Sequence, residues 1–401
     1  MVGILSLSEN ASKLKPEEAF IYLAKALELK KKGVNVISFG IGQPDFQPPK
    51  HVIEAAKKAL DEGYSGYGPS LGLSELREAI KDFVNESYGV DVKLDEIMVT
   101  VGAKTAVFMG LIALINPGDE VLIPDPGYPL YESAVLFAGG KPVFIRLDEN
   151  EEYRMKPEMI EEVITPRTRV IVLNYPENPV GSTLSESDVE EIMEIAARNN
   201  IAVFSDEIYD RYVYDGEHYS TLQYEGWREN LYYVNGFSKT FAITGWRLGY
   251  VITNKNLIEK LDVIANNIYS CPVTFAQKAM ADALREGLEW FKPIWREFKE
   301  RRDLIYNELS SITGIKTVMP RGSFYIFPNI KELESQLGFS NCIEFSEKLL
   351  YDKGVLVLPG TAFPGEGGKH HLRFSFAVSK AKIKEGTKRI KEWIKELKSK
   401  N

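Results

Sequence analysis

Cysteine and histidine are scarce in this chain, two and four among 401 residues. Cys271 and Cys342 are too few for a disulfide scaffold or a cysteine-rich zinc or iron–sulfur module. His51, His218, His370 and His371 leave little material for a metal centre, and no H-E-x-x-H run occurs. An excess of positive charge is missing too. Lysine and arginine number 49 against 57 aspartates and glutamates, a formal net charge of -8, whereas a broad nucleic-acid surface needs a basic face. Long apolar runs are also lacking. The apolar uncharged stretch Thr105 to Gly118 contains Asn116-Pro117-Gly118 and falls short of a membrane span. The start, Met1 to Glu9, is too short in apolar length for a secretory signal. No metal, nucleic acid or membrane is expected as a partner, and the expected setting is cytoplasmic.

What remains is ordinary globular material, 44% hydrophobic and 26% charged. At roughly 150 residues per domain the length suits two domains or one large one, with a core that needs no disulfides. Pro16 opens an amphipathic run through Phe20, Leu23, Ala24 and Leu27 that Gly33 closes, the proline-first, glycine-last order of a helix. Val34 to Phe39 reads as a strand ending in the turn cluster Gly40-Ile41-Gly42-Gln43-Pro44-Asp45, and a further helix is predicted from Pro49 to Asp61. Short apolar strands recur at Glu96–Val101, Glu120–Ile123, Val170–Leu173, Ala202–Phe204 and Leu231–Val234, with helical segments such as Ser185–Asn199 between them. That alternation predicts a mostly parallel sheet covered on both faces. Past Trp290 the texture changes to a charged helix at Pro293–Ser310 and strand-like runs at Gly322–Phe327, Gly354–Leu358 and Leu372–Ala377. These predict a smaller α+β domain completed by the N-terminal segment. The basic stretch Ala381–Lys400 carries Ile383, Ile390, Trp393, Ile394 and Leu397 at helical spacing, so its charges read as the solvated face of a docked helix.

In an open parallel sheet, ligands bind beyond the carboxyl ends of the strands. Five such ends offer Gly102-Ala103-Lys104, Asp125 to Tyr128, Asn174 to Gly181, Ser205 to Tyr209, and Asn235 to Lys239. A strand–glycine–helix junction at Gly102 suits a phosphate, because free N–H groups and the helix dipole face the anion; alone it is more often plain strand–helix punctuation. Neither G-x-G-x-x-G nor a Walker loop is present. A lysine without context is a surface lysine. Lys239, however, follows an apolar strand and precedes Thr240-Phe241-Ala242-Ile243-Thr244-Gly245-Trp246-Arg247, a setting that lowers an amine's pKa and makes it nucleophilic. Asp206, closing an apolar strand, needs a cationic partner or a proton; a helix cap or a buried ion pair would account for it equally well.

Together these motifs resemble the signature of class I/II aminotransferases, pyridoxal-phosphate enzymes of the aspartate aminotransferase fold (fold type I). Ser205-Asp206-Glu207-Ile208-Tyr209, Asn235-Gly236-Phe237-Ser238-Lys239-Thr240 and Thr244-Gly245-Trp246-Arg247-Leu248-Gly249 carry the likeness. It extends from Gly40 to Phe46 through Tyr67-Gly68-Pro69, Gly72 and Asn178-Pro179-Val180-Gly181 to Pro320-Arg321-Gly322-Ser323-Phe324-Tyr325 and Arg373. The resemblance implies an α/β fold. A large domain, 48–292, holds a mostly parallel seven-stranded sheet between helices, and both chain ends, 1–47 and 293–401, form the smaller domain.

The resemblance also implies roles. Lys239 forms the internal aldimine with pyridoxal 5'-phosphate and moves a proton from Cα. Asp206 keeps the pyridine nitrogen protonated, so the ring acts as an electron sink. Tyr209 and Asn178 bond the cofactor's O3′, and Tyr128 stacks on its ring. Gly102, Ala103 and Lys104, with Ser238 and Arg247, hold the phosphate. Tyr67 reaches it from a second subunit, which implies a homodimer with shared active sites. Arg373 clamps the substrate α-carboxylate, and Gly42 approaches from the N-terminal side. Three departures stand out. Gly236 replaces a serine of the phosphate cup, Val180 replaces a threonine, and no arginine is evident for a distal carboxylate. Small or apolar Ala19, Phe20 and Ile21 at the substrate side favour neutral or aromatic donors, with 2-oxoglutarate among the acceptors of a ping-pong reaction. A carbon–sulfur or aminocyclopropane-forming lyase on the same scaffold would use the same core motifs. A cofactor-binding regulator would need a DNA-binding module for which the chain has no spare length.

Overall fold

The computed structural model describes residues 6–399; Met1–Leu5, Lys400 of the basic stretch and Asn401 lie outside it. The large sheet has seven strands, in the spatial order Ile97–Thr100, Gly249–Ile252, Leu231–Gly236, Ala202–Asp206, Thr168–Asn174, Glu120–Asp125, Lys141–Arg146. Only Gly249–Ile252 runs against its neighbours; the remaining pairs are parallel. Helices cover both faces, so nearly every strand residue is buried and the strands read as unbroken apolar runs.

Two of these strands carry no clear sequence signal. Lys141–Arg146 lies at the sheet edge with charged ends and Pro142, which belong on an edge where unpaired backbone meets water. Gly249–Ile252 begins with a glycine, and close approach explains it. A Cβ on Gly249 would stand 2.4 Å from the Ala103 nitrogen. Helix starts follow the expected chemistry. Ser185 caps Glu186–Arg198 by accepting from Asp188 N at 3.2 Å, and the Asp188 carboxylate accepts from Ser185 N at 3.0 Å.

The chain ends meet in two small sheets. Ile37–Ser38 pairs in parallel with Val355–Leu356. Leu372–Ser375 lies between Leu358–Pro359 and Tyr325–Ile326, antiparallel to both. The strands expected at Val34–Phe39 and Gly354–Leu358 are thus shorter than their apolar runs. The second run passes from one sheet to the other at Val357 and satisfies two sets of partners. The predicted terminal helix, Lys380–Lys398, docks through buried Ile383, Ile390, Trp393 and Ile394, and Trp393 Nε1 donates to Asp352 at 3.0 Å. Gly386 lets this helix close on Phe39, whose ring would be 2.5 Å from an added Cβ. Pairing of 37–38 with 355–356 draws residues 40–43 across the carboxyl ends of the central strands. No helix among the described residues is long and apolar enough to cross a membrane.

Candidate active site

The carboxyl rim of the large sheet opens into a cavity of about 570 Å³, the size expected for a small-molecule site. Lys239 follows the strand Leu231–Gly236 and points its amine inward, where Nζ donates to the Gly42 carbonyl at 2.8 Å. Burial, reinforced by the Arg373 charge, lowers its pKa to about 8, although Asp206 works in the opposite direction. The strand Ala202–Asp206 delivers the carboxylate. Asp206 Oδ2 accepts from the Tyr131 hydroxyl at 2.9 Å and Oδ1 from Ile208 N at 3.2 Å. Burial raises this acid to about 6 despite both hydrogen bonds, so a cation placed beside it would favour the ionised form.

Tyr209, one turn beyond Asp206, shares a 2.8 Å hydroxyl–hydroxyl bond with Tyr325. Asn178 is held by its own N–H, which donates to Asn174 Oδ1 at 3.2 Å, and its side-chain oxygen accepts from Arg373 Nη1 at 3.0 Å. The strand Leu372–Ser375 places Arg373 between two rings, its guanidinium 4.5 Å from the Tyr325 centroid and 5.1 Å from that of Phe363. Nη2 bonds the Gly40 carbonyl, and Nε, though buried, has no hydrogen-bond partner among the described residues. An unpaired buried guanidinium nitrogen is costly, and Arg373 lines the cavity, where its charge suits an anion.

On the opposite wall the helix Gly102–Leu114 begins at Gly102, whose φ of +77° suits glycine. A Cβ there would lie 2.5 Å from Arg247 Nη2. Arg247 is itself in the left-handed region at φ 55°, and its Nη1 donates to the Thr244 carbonyl at 2.7 Å. Helix N–H groups, Ser238 and this guanidinium converge on one side of the cavity, a donor set that matches a phosphate. Gly236 is explained by packing, since an added Cβ would sit 3.0 Å from both Gly249 Cα and the Leu248 carbonyl. Val180, the other replaced residue, is buried in the core.

The family profile described as aminotransferase class I and II matches residues 34–390. The chain belongs to that family. It is 40% identical to the aspartate aminotransferase of Sulfolobus acidocaldarius over 98% of both chains. It is 39% identical to the aromatic-amino-acid aminotransferase 2 of Thermococcus litoralis, over 98% of this chain and 100% of that protein. The structure of the Thermus thermophilus aspartate aminotransferase with maleate superposes with a TM-score of 0.91 at 35% identity, covering 97% of this chain and 100% of that one. The protein is therefore a pyridoxal-phosphate-dependent aminotransferase acting on amino-acid and 2-oxo-acid substrates, and the donor set around the cavity fits that cofactor.

Most residues expected from the aminotransferase motifs meet here. Lys239, Asp206, Tyr209, Asn178, Tyr128, Ala103, Lys104, Ser238, Arg247, Arg373, Gly42 and Phe20 line the cavity, and Gly102 backs it. One departs from expectation: Ile21 is exposed outside the lining, because the helix Glu18–Lys31 turns it to solvent. Tyr67, expected at the site of a second subunit, is 93% exposed and away from this chain's own cavity. The Lys104 ammonium forms an ion pair with Glu17. Glu17 also accepts from the Tyr128 hydroxyl at 3.2 Å.

Glu17, Tyr131, Tyr325 and Phe363 escaped the sequence reading. Tyr131 follows Tyr128, the N-cap of the helix Pro129–Phe137, by three residues, a spacing that would have revealed it. Tyr325 lies within a motif already singled out. Glu17 and Phe363 carry no local signal, since each finds its partner only in the tertiary fold.

Proposed function

We propose that this aminotransferase moves the amino group of a neutral or aromatic L-amino acid to a 2-oxo acid such as 2-oxoglutarate, in two half-reactions at one site centred on Lys239. The observation carrying this reading is the convergence on one cavity of a lysine whose pKa is lowered to about 8, a buried carboxylate and a guanidinium with a free Nε. When bound, pyridoxal phosphate supplies an aldehyde carbon that takes up nitrogen and a ring that accepts an electron pair. The chain does the rest. Lys239 Nζ is the amine of attachment and the base that takes the proton from the substrate Cα. Asp206 holds a proton on the pyridine nitrogen, and Tyr131 holds Asp206 in place. Tyr209 and Asn178 donate to the phenolic oxygen, while the start of Gly102–Leu114, Ser238 and Arg247 hold the phosphate. Tyr128 packs against the ring, and Arg373 orients the α-carboxylate.

The donor preference is supported by the mouth. Phe20 and Ala19 line it, and its lysine is already neutralised by Glu17, so aspartate's second carboxylate has no unpaired cation to meet there among the described residues. A dicarboxylic acceptor would have to exchange with Glu17 for Lys104. In the same reading residues 48–292 form the cofactor domain, and 1–47 with 293–401 the smaller one. A second copy is supported by exposed Tyr67, Ile268 and Val273. The segment carrying Tyr67 is tied to 271–274 by Thr274 Oγ1 donating to the Tyr64 carbonyl at 2.9 Å and Gly68 N donating to Cys271 Sγ at 3.4 Å. Two free cysteines suit a cytoplasmic setting.

The test is to add single substrates to the cofactor-loaded protein. A donor alone should convert one equivalent, and a 2-oxo acid should then restore the starting spectrum. Tyrosine and phenylalanine should exceed aspartate in kcat/KM. A strong aspartate preference would refute the donor assignment, and ammonia with pyruvate released without an acceptor would mean a lyase.

A further inference from the structure

Tyr325 touches three parts of the site. Its hydroxyl pairs with that of Tyr209 at 2.8 Å, and among the described residues each hydroxyl has the other as its only hydrogen-bond partner. Its ring lies under the Arg373 guanidinium at 4.5 Å. Backbone closes over the hydroxyl, for a Cβ on Gly42 would stand 1.8 Å from Tyr325 Oη, and the Gly42 carbonyl is the acceptor of Lys239 Nζ. Both phenols are buried and stand edge-to-face, centroids 5.7 Å apart at 84°.

Two paired hydroxyls hold two protons but use only one between them. The other is left for a third group, and which phenol keeps it depends on which is the better donor. A guanidinium over a phenol ring withdraws charge and makes that phenol the better donor. Burial raises both tyrosines, and the guanidinium stacked over Tyr325 favours Tyr325 as the donor of the pair. We propose that Tyr325 is a positioning residue, donating to Tyr209 so that the Tyr209 proton stays directed at the cofactor's phenolic oxygen. The resulting chain of two O–H groups polarises Tyr209 and strengthens its donation. The proposal rests on the cofactor reading above, since Tyr325 acts on the reaction only through Tyr209.

The test needs no turnover. Donors at the phenolic oxygen stabilise its anion and lower the pKa of the attached nitrogen, so losing one raises the pH midpoint of the visible absorbance band of the loaded protein. Tyr325→Phe keeps the ring under Arg373 and removes only the hydroxyl. The expected result is an upward shift of the midpoint by about half to one pH unit. Tyr209→Phe should shift it further, and the double variant should equal Tyr209→Phe alone. An unchanged midpoint in Tyr325→Phe overturns the proposal, whether or not the melting temperature falls, because a merely structural role moves stability and not the band. Additive shifts in the double variant overturn it also. Absence of a pH-dependent band from loaded wild type would overturn the cofactor reading itself, and this proposal with it.

Discussion

On the floor of the cavity the polar side chains are held by short contacts to buried groups, as with Asp206 on Tyr131 and Ile208 N, Asn178 on Asn174 and Arg373, and Tyr209 on Tyr325. At the mouth the Lys104 and Glu17 side chains are 41% and 22% exposed, Phe20 is exposed, and the supporting helix starts at Glu18. The floor is preorganised in a water-poor setting, where electrostatic contacts are strong and carry the chemistry common to the family. The mouth is solvated, so its ion pair is weak and exchangeable. In the proposed reading, reaction type belongs to the floor and substrate choice to the mouth.

The largest effect should come from the floor. In the proposed reading Lys239→Ala removes the amine of attachment and the Cα base together, and turnover should fall by about four orders of magnitude in a steady-state assay. Retained turnover would show that the chemistry lies elsewhere. Arg373→Lys keeps the charge but loses the planar fork. KM for donor and acceptor should rise by about 10- to 100-fold, with the visible band unchanged; a KM increase confined to one substrate would break the shared-clamp assignment. The low pKa of Lys239 gives a pH test. Below about pH 8 its amine is protonated and unreactive. Attachment of pyridoxal phosphate to cofactor-free protein should therefore quicken about tenfold per pH unit up to that point and level off above it, followed by stopped-flow absorbance. A rate still rising tenfold per unit through pH 10 would mean the amine is unperturbed. The smallest effect belongs to the mouth. Glu17→Gln frees Lys104 and should raise kcat/KM for aspartate relative to phenylalanine by up to about fivefold, the scale of an exposed ion pair. A drop in aspartate use would assign Glu17 the opposite role.

The same contrast explains what the sequence made legible. Floor residues lie at strand ends within compact runs such as Ser205 to Tyr209 and Asn235 to Thr240, so local order and chemistry appear together. The strands carrying them were visible as buried apolar runs, whereas Lys141–Arg146 and Gly249–Ile252 were not, being an edge strand and a glycine-led one. Contacts spanning the chain left no local trace. Glu17 meets Lys104 and Tyr128, and Arg373 meets Gly40, across chain separations that only the tertiary fold closes, residues 37–38 pairing with 355–356 and Ser375 N donating to the Phe39 carbonyl. The exposed Tyr67 depends on a second copy for any role at a site, so its placement in one chain leaves it outside the cavity.

The central claim is that Lys239 is the amine to which the cofactor attaches, and reduction tests it most directly. Loaded protein treated with borohydride and digested should carry the pyridoxyl phosphate mass on the peptide containing Lys239 and on no other, with the label absent in Lys239→Ala. Label on Lys104 or on a different lysine, or none in loaded wild type, would contradict the account.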